Sequence, residues 1–399
     1  MRDDRIPEGA PQDSLPGEGV GLDQALQGRR VVCCVGSGGV GKTTTAAALA
    51  LRAAMDGKRA LVLTIDPARR LANSLGLKEM GNEETRISPS LFEKAGLTPR
   101  GEMWAMMLDL KHTWDDLVRR QAGSAQQAQA ILDNQLYQTL STAMAGSLEY
   151  MAMEKVYEVY NSGRYDVVVL DTPPTSNALD FLHASDRILD VLDNNAMRIV
   201  LGPMLRAGKF GFKLLAAPSG LVLRTLARFT GSDFLRDLAG FMMAFEGMYE
   251  GFKDRAAKVK TLLMSRNAAF VLVTGPNALT IQEAVFFHEA LQKDGIGTAA
   301  VIVNRVQRDP RRHGGPDNLP ALKEALQLAQ IKDEGAPPLS ERLCQTLTEQ
   351  AALVDLEQRE IERLRERLRG VPLFVVPRLR KDVHDLAGLW QIDRTLGGE

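Results

Sequence analysis

The sequence predicts an α/β protein, a mostly parallel sheet flanked by helices, with a helical subdomain inserted into it. Three observations predict it. Six short runs are almost continuously apolar, as suits parallel strands covered on both faces. A glycine-rich loop stands between the first run and an alanine-rich stretch of high helix propensity. Spacers of about 100 residues separate the second run from the third and the third from the fourth, far longer than ordinary crossovers, so they must be structured insertions.

In chain order, residues 1–28 are rich in Pro, Gly and acidic residues, lack an apolar segment of signal-peptide length, and read as a disordered tail. Residues 30–35 (RVVCCV) form the first strand, 36–42 the loop and 43–55 the helix. Further strands are expected at 60–65 (ALVLTI), 166–170 (DVVVL), 270–274 (FVLVT), 299–303 (AAVIV) and 372–376 (PLFVV). Stretches 104–120, 126–161 and 233–263 carry apolar residues three and four apart with few breakers, so they read as helices of the inserted subdomain. Residues 340–369 read as a long amphipathic crossover helix. The resulting division assigns 29–90, 164–180 and 265–399 to the sheet core, and 91–163 and 181–264 to the helical insertion.

Composition narrows the function classes. A formal net charge of -1 supplies no concentrated positive field for a phosphate backbone, so nucleic acid is not expected as a partner. Three cysteines, two of them adjacent (Cys33 and Cys34), form neither a disulfide framework nor a metal-binding CxxC, which suits a reducing cytoplasm. No apolar run reaches the roughly 18 residues of a membrane span; residues 197–226 are interrupted by Arg206, Lys209, Lys213 and Arg224. A soluble, cytoplasmic protein is expected.

The chemistry is concentrated at strand ends. Gly36-Ser37-Gly38-Gly39-Val40-Gly41-Lys42-Thr43 matches the Walker pattern GxxxxGK[ST] between a strand and a helix, predicting a P-loop NTPase fold. In such a loop the backbone N–H groups and the helix N-terminus hold the phosphates of ATP, Lys42 reaches the β- and γ-phosphates, and Thr43 ligates Mg2+, with Thr44 next in the nucleotide site. Asp171, ending the run VVVLD, stands where open α/β sheets place their ligands and fits the second magnesium position; a helix-capping aspartate would have the same local sequence. Asp66, ending LTID, is placed to orient or deprotonate the attacking water, as a catalytic residue beside Lys42. An Asp-Pro turn accounts for Asp66 without chemistry. Asn304, ending VIVN, is either a reader of the adenine edge or a capping residue.

Together the stretches GSGGVGKTTTAAALA, TIDPARRLANSLGL, LDTPPTSNALDFL, VIVNRV and VVPRLRKDVHDL resemble the ArsA/GET family of ATPases, in the family's order and over nearly the whole chain. The second and third look like its two switch loops. The resemblance implies a homodimer, or a heterodimer with a paralogous ATPase, closing face to face over ATP. It also implies a helical subdomain whose apolar groove opens or closes with the nucleotide, for an apolar protein client. It assigns Asp66 as the water-activating aspartate, Asn304 as the base-recognising asparagine, and Pro377 to the lining of the adenine pocket.

Three departures bear on function. The family's signature lysine, which reaches across the dimer to the partner's nucleotide, is Ser37 here. A hydroxyl cannot neutralise charge on the transferring phosphoryl group, and a supplied cation of this kind is worth roughly 10³–10⁵ in rate in other P-loop enzymes. Arg69 and Arg70 follow Asp66 closely and offer a substitute, or are solvated surface charges. The interface zinc of the eukaryotic targeting factor is not expected, because after Asn304 only Cys344 exists. Neither helical insertion contains a thiol for a soft metalloid, so arsenite transport is not expected.

Other function classes make different demands. A regulator of the MinD or ParA type, acting by ATP-switched surface binding, needs a basic face or a basic amphipathic tail helix, which DVHDLAGLWQIDRTLGGE does not supply. An iron–sulfur reductase needs two cluster cysteines per subunit beyond the loop. A carrier would use the twelve of fifteen methionines that fall between Met103 and Met264, although an ordinary helical core would also hold them.

Overall fold

A computed structural model describes residues 21–66, 70–77, 80–135, 137, 138, 141, 147–172, 249–313, 319–335 and 337–397. Its strands are β1 (Val31–Val35), β2 (Arg59–Thr64), β3 (Thr85–Arg86), β4 (Glu102–Met107), β5 (Val167–Asp171), β6 (Ala268–Thr274), β7 (Thr298–Val306) and β8 (Leu373–Pro377). They form one sheet in the order β3-β4-β2-β5-β1-β6-β7-β8, parallel except for β3, which runs antiparallel to β4. Strands β1, β5 and β6 are buried at every position, as apolar runs covered on both faces require.

Each face of the sheet carries its own core. On one side Val32, Cys34, Val62, Val169, Val271 and Ile302 pack with α2 (Lys42–Met55) and with α12 (Leu386–Gly397). The helix α2 fits tightly because Ala46, Ala47, Ala48, Ala50 and Ala54 let its backbone lie close to the strands. On the other side Val31, Cys33, Leu61, Leu170, Phe270 and Val303 pack with α7 (Ser147–Ser162), α8 (Tyr249–Met264), α9 (Ala278–Lys293) and the long α11 (Leu339–Arg367). The expected amphipathic crossover is thus present, with Ala351, Val354, Ile361 and Leu364 on its buried face.

Two parts of the sequence expectation change. Residues 104–107 are not helical: they belong to β4, which pairs with β2 in register from Arg59↔Glu102 to Thr64↔Met107. Met and Ala favour helices in isolation, but here the run alternates, with Met103 and Ala105 on one core and Met106 on the other. Helix begins only at α5 (Leu110–Gln121), where the Asp109 carboxylate caps the first turn by accepting from the His112 N–H at 2.8 Å. The second change lies in the N-terminal segment, because residues read as the end of a disordered tail form α1 (Leu22–Leu26), with Leu22 buried in the core. Residues 1–20, residues 197–226 and most of the second insertion lie outside the described residues.

The helix α1 is clasped to α2 and α12 through Arg52. Its Nε and Nη2 donate to the two carboxylate oxygens of Asp23, each at 2.7 Å, and Nη1 donates to Asp393 Oδ1 at 3.0 Å. Asp393 is buried, and burial pushes its carboxyl up to about 6 despite the guanidinium. The folded chain therefore holds this proton more tightly than the unfolded chain, so stability falls as pH rises from about 4 to about 6. Asp393→Asn removes that component, and between pH 4 and 7 it should gain on the order of 2 kcal/mol relative to wild type. Chemical denaturation at several pH values checks this; a constant difference between the two proteins would refute it.

Candidate functional site

The parallel strands run the same way, and described residues at the ends of β1, β2, β5, β7 and β8 line two adjoining clefts at one edge of the sheet. The loop after β1 wraps tightly enough that two glycines have no room for a side chain. A Cβ on Gly36 would lie 2.0 Å from the Val273 carbonyl oxygen. On Gly41, the N-cap of α2 with φ of 99°, it would lie 2.2 Å from Asn304 Nδ2. Backbone approach of this kind turns the loop N–H groups toward an anion at the N-terminus of α2.

Lys42, buried at the start of α2, donates from Nζ to the carbonyl oxygens of Gly36 at 2.9 Å and Ser37 at 2.7 Å. Burial lowers its pKa, and the Asp171 carboxylate opposes that. Asp171 ends β5 beside β1, 1% exposed, with Oδ2 accepting from the Thr64 hydroxyl at 2.8 Å. Its Oδ1 is buried without a hydrogen-bond partner, and burial pushes the carboxyl up to about 6 against the hydroxyls of Thr43 and Thr64. An orphaned carboxylate oxygen beside a threonine hydroxyl is a hard-oxygen pair that fits Mg2+. Thr43 and Asp171 are therefore the residues that would hold the ion.

Asp66 follows β2, with its carboxylate 3.4 Å from Arg70 Nε. Its N–H donates to Thr64 Oγ1 at 3.2 Å, so a single hydroxyl joins the backbone of Asp66 to the Asp171 carboxylate. Thr64 was not among the residues singled out from the sequence, since its importance depends on the pairing Thr64↔Asp171. Gly38, Gly39, Gly41, Lys42, Thr43, Thr44, Asp66 and Arg70 surround a cleft of about 390 Å³. The structure thus brings the loop, Asp66 and the helix start together. Arg69 and the second switch loop beyond Thr172 lie outside the described residues.

A second cleft of about 670 Å³ adjoins the first and shares Thr44, Arg70, Ser74 and Arg305 with it. Asn304 and Pro377 both line it. Asn304 also braces the loop: Nδ2 donates to the Val40 carbonyl at 2.8 Å, and Oδ1 accepts from the Arg305 N–H at 2.9 Å. Those two bonds leave one N–H and one lone pair of the amide for a base edge. Cys33 and Cys34 are buried in β1, and burial pushes the Cys33 thiol up to about 12, so neither is a ready soft-metal ligand.

A P-loop between a central parallel strand and its helix, with carboxylates at the ends of two neighbouring strands, defines a P-loop ATPase. Over residues 29–333 the sequence matches the family described as anion-transporting ATPase, and the chain belongs to that family. Its relatives include ATPase get3 of Aspergillus terreus, 28% identical over 275 residues, which are 68% of this chain and 71% of the relative. ATPase ARSA1 of Chlamydomonas reinhardtii is 28% identical over 302 residues, 71% of this chain but 36% of the relative. A putative arsenical pump-driving ATPase of Prosthecochloris vibrioformis is 31% identical over 161 residues, 40% of this chain and 36% of the relative.

Proposed function

We propose that the chain binds Mg-ATP in the two adjoining clefts and uses hydrolysis to open and close a dimer and its helical subdomain. The observation that carries this reading is the convergence of Lys42, Thr43 and Asp66 on one cleft, with Asp171 at the end of the neighbouring strand, bonded to Thr64 and with its Oδ1 atom buried and unpartnered. The P-loop would hold the phosphates, Asn304 and Pro377 the base, and Thr43 with Asp171 the ion. Bound Mg2+ neutralises phosphate charge. Asp66 sits where it can accept a proton from the attacking water.

A P-loop edge of this type is open to solvent in one chain, and a second chain over it would exclude water from the reaction. The carrier reading rests on the methionine-rich middle of the sequence. Met103, Met106, Met151 and Met153 are core residues, while Met264 is 51% exposed. The name of the Prosthecochloris relative refers to arsenic; in this chain Cys33 and Cys34 are buried and the insertion contains no cysteine, so an apolar protein segment suits the insertion better than a metalloid. No helix of the described residues is long and apolar enough to cross a membrane.

Calorimetry with ATP, repeated in excess chelator, tests nucleotide and ion together; light scattering of the same samples reports association. Binding that depends on Mg2+, accompanied by a doubling of mass, is expected. Absence of ATP binding would overturn the nucleotide reading, and a constant monomer mass with ATP bound would overturn the dimer.

A further inference from the structure

We propose that Arg305 is a nucleotide-binding residue that holds the α- and β-phosphates where the two clefts meet. The proposal rests on the ATP-site reading above. Arg305 lies within β7 but has φ of 64°, and the pairing of β7 with β8 shifts register between Asn304 and Val306 around it. A left-handed conformation is unfavourable for a side chain with a Cβ, by on the order of 1 kcal/mol, and glycine is the usual occupant of such a bulge. The other such non-glycine residue among the described ones, Gln330, follows the end of α10 (Leu319–Leu328), where left-handed caps are common. Arg305 has no helix end to explain it. Strain of this kind persists at sites where the side chain has a task.

The bulge directs that side chain to the P-loop. Nη1 donates to the Gly39 carbonyl at 2.9 Å, although Gly39 lies 266 positions earlier in the chain. The backbone of Arg305 is fixed by the amide of Asn304, which in turn holds Val40, so loop and bulge form one unit. The three cations that line the phosphate cleft among the described residues have different surroundings. Lys42 is turned to two loop carbonyls, Arg70 faces the Asp66 carboxylate, and Arg305 meets one carbonyl. A guanidinium carries five N–H donors, so one bond to Gly39 leaves four for phosphate oxygens. Arg305 lines both clefts, the one with the P-loop and the one with Asn304 and Pro377. A nucleotide spanning them passes its α- and β-phosphates over the junction.

The test compares Mg-ADP and Mg-ATP affinities by calorimetry for wild type, Arg305→Ala, Arg305→Asn and Arg305→Lys. Loss of a charged hydrogen bond should weaken both nucleotides alike, by roughly 10- to 100-fold in the alanine and asparagine variants, with part of the loss recovered by lysine. The melting temperature without nucleotide separates binding from bracing. Asparagine tolerates the left-handed region, so Arg305→Asn should melt no lower than wild type if the side chain serves the ligand. Affinities within about threefold of wild type would overturn the proposal, and so would a loss confined to ATP, which would place the guanidinium at the γ-phosphate. Wild type that binds neither nucleotide would instead overturn the ATP-site reading on which the proposal rests.

Discussion

Lys42→Ala is expected to lower Mg-ATP affinity by on the order of 10²–10³-fold, because it deletes a buried charge from the point where the phosphates would sit. Lys42 Nζ is held by the carbonyl oxygens of Gly36 and Ser37, so the ammonium already lies inside the loop. A ligand phosphate must draw it away from those carbonyls, and the exchange is favourable because an anion is a stronger acceptor than an amide oxygen. The fold should survive the substitution. Burial already disfavours the charged form of this lysine, and α2 is secured by its alanine-rich contacts with the strands and by α12. Lys42→Met, which keeps the side-chain volume, should therefore melt close to wild type while losing ATP as Lys42→Ala does. Calorimetry of both variants provides the measurement. Affinity within a few-fold of wild type in either would remove the loop from the nucleotide site.

The chemistry-bearing elements were legible wherever their signal was local. The P-loop is a contiguous pattern, and strands such as VVVLD and FVLVT are apolar runs too short for helices. Strand β4 was not legible, because Glu-Met-Trp-Ala-Met-Met carries helix formers and becomes a strand only through pairing with β2. The same applies to α1, whose single buried anchor, Leu22, acquires meaning from the Arg52 clasp. Thr64 and Arg305 escaped notice for a related reason: one matters through cross-strand register, the other through a bulge, and neither leaves a trace in composition. Asn304 was singled out for its place at a strand end, whereas its bond to Val40, which braces the loop, is revealed only by the folded chain.

Asp66→Asn should leave Mg-ATP affinity within a few-fold of wild type and reduce turnover at saturating ATP by roughly 10²–10⁴-fold, the usual range for loss of a positioned general base. The geometry separates the two effects. Asp66 lines the phosphate cleft from the end of β2, across from the loop that would bind the phosphates, and its side chain remains 17% exposed, so water can reach it. Asparagine keeps the size and one acceptor oxygen, while the backbone N–H still donates to Thr64. What disappears is the capacity to take a proton, together with the pairing to Arg70. A loosened Arg70 would alter binding rather than the chemical step, so Arg70→Ala is the matched control: it should change KM more than kcat. Phosphate release measured for wild type and both variants decides the matter. If Asp66→Asn kept turnover within a few-fold of wild type, the aspartate would be only the start of a turn, and the water would have to be activated from another side of the cleft.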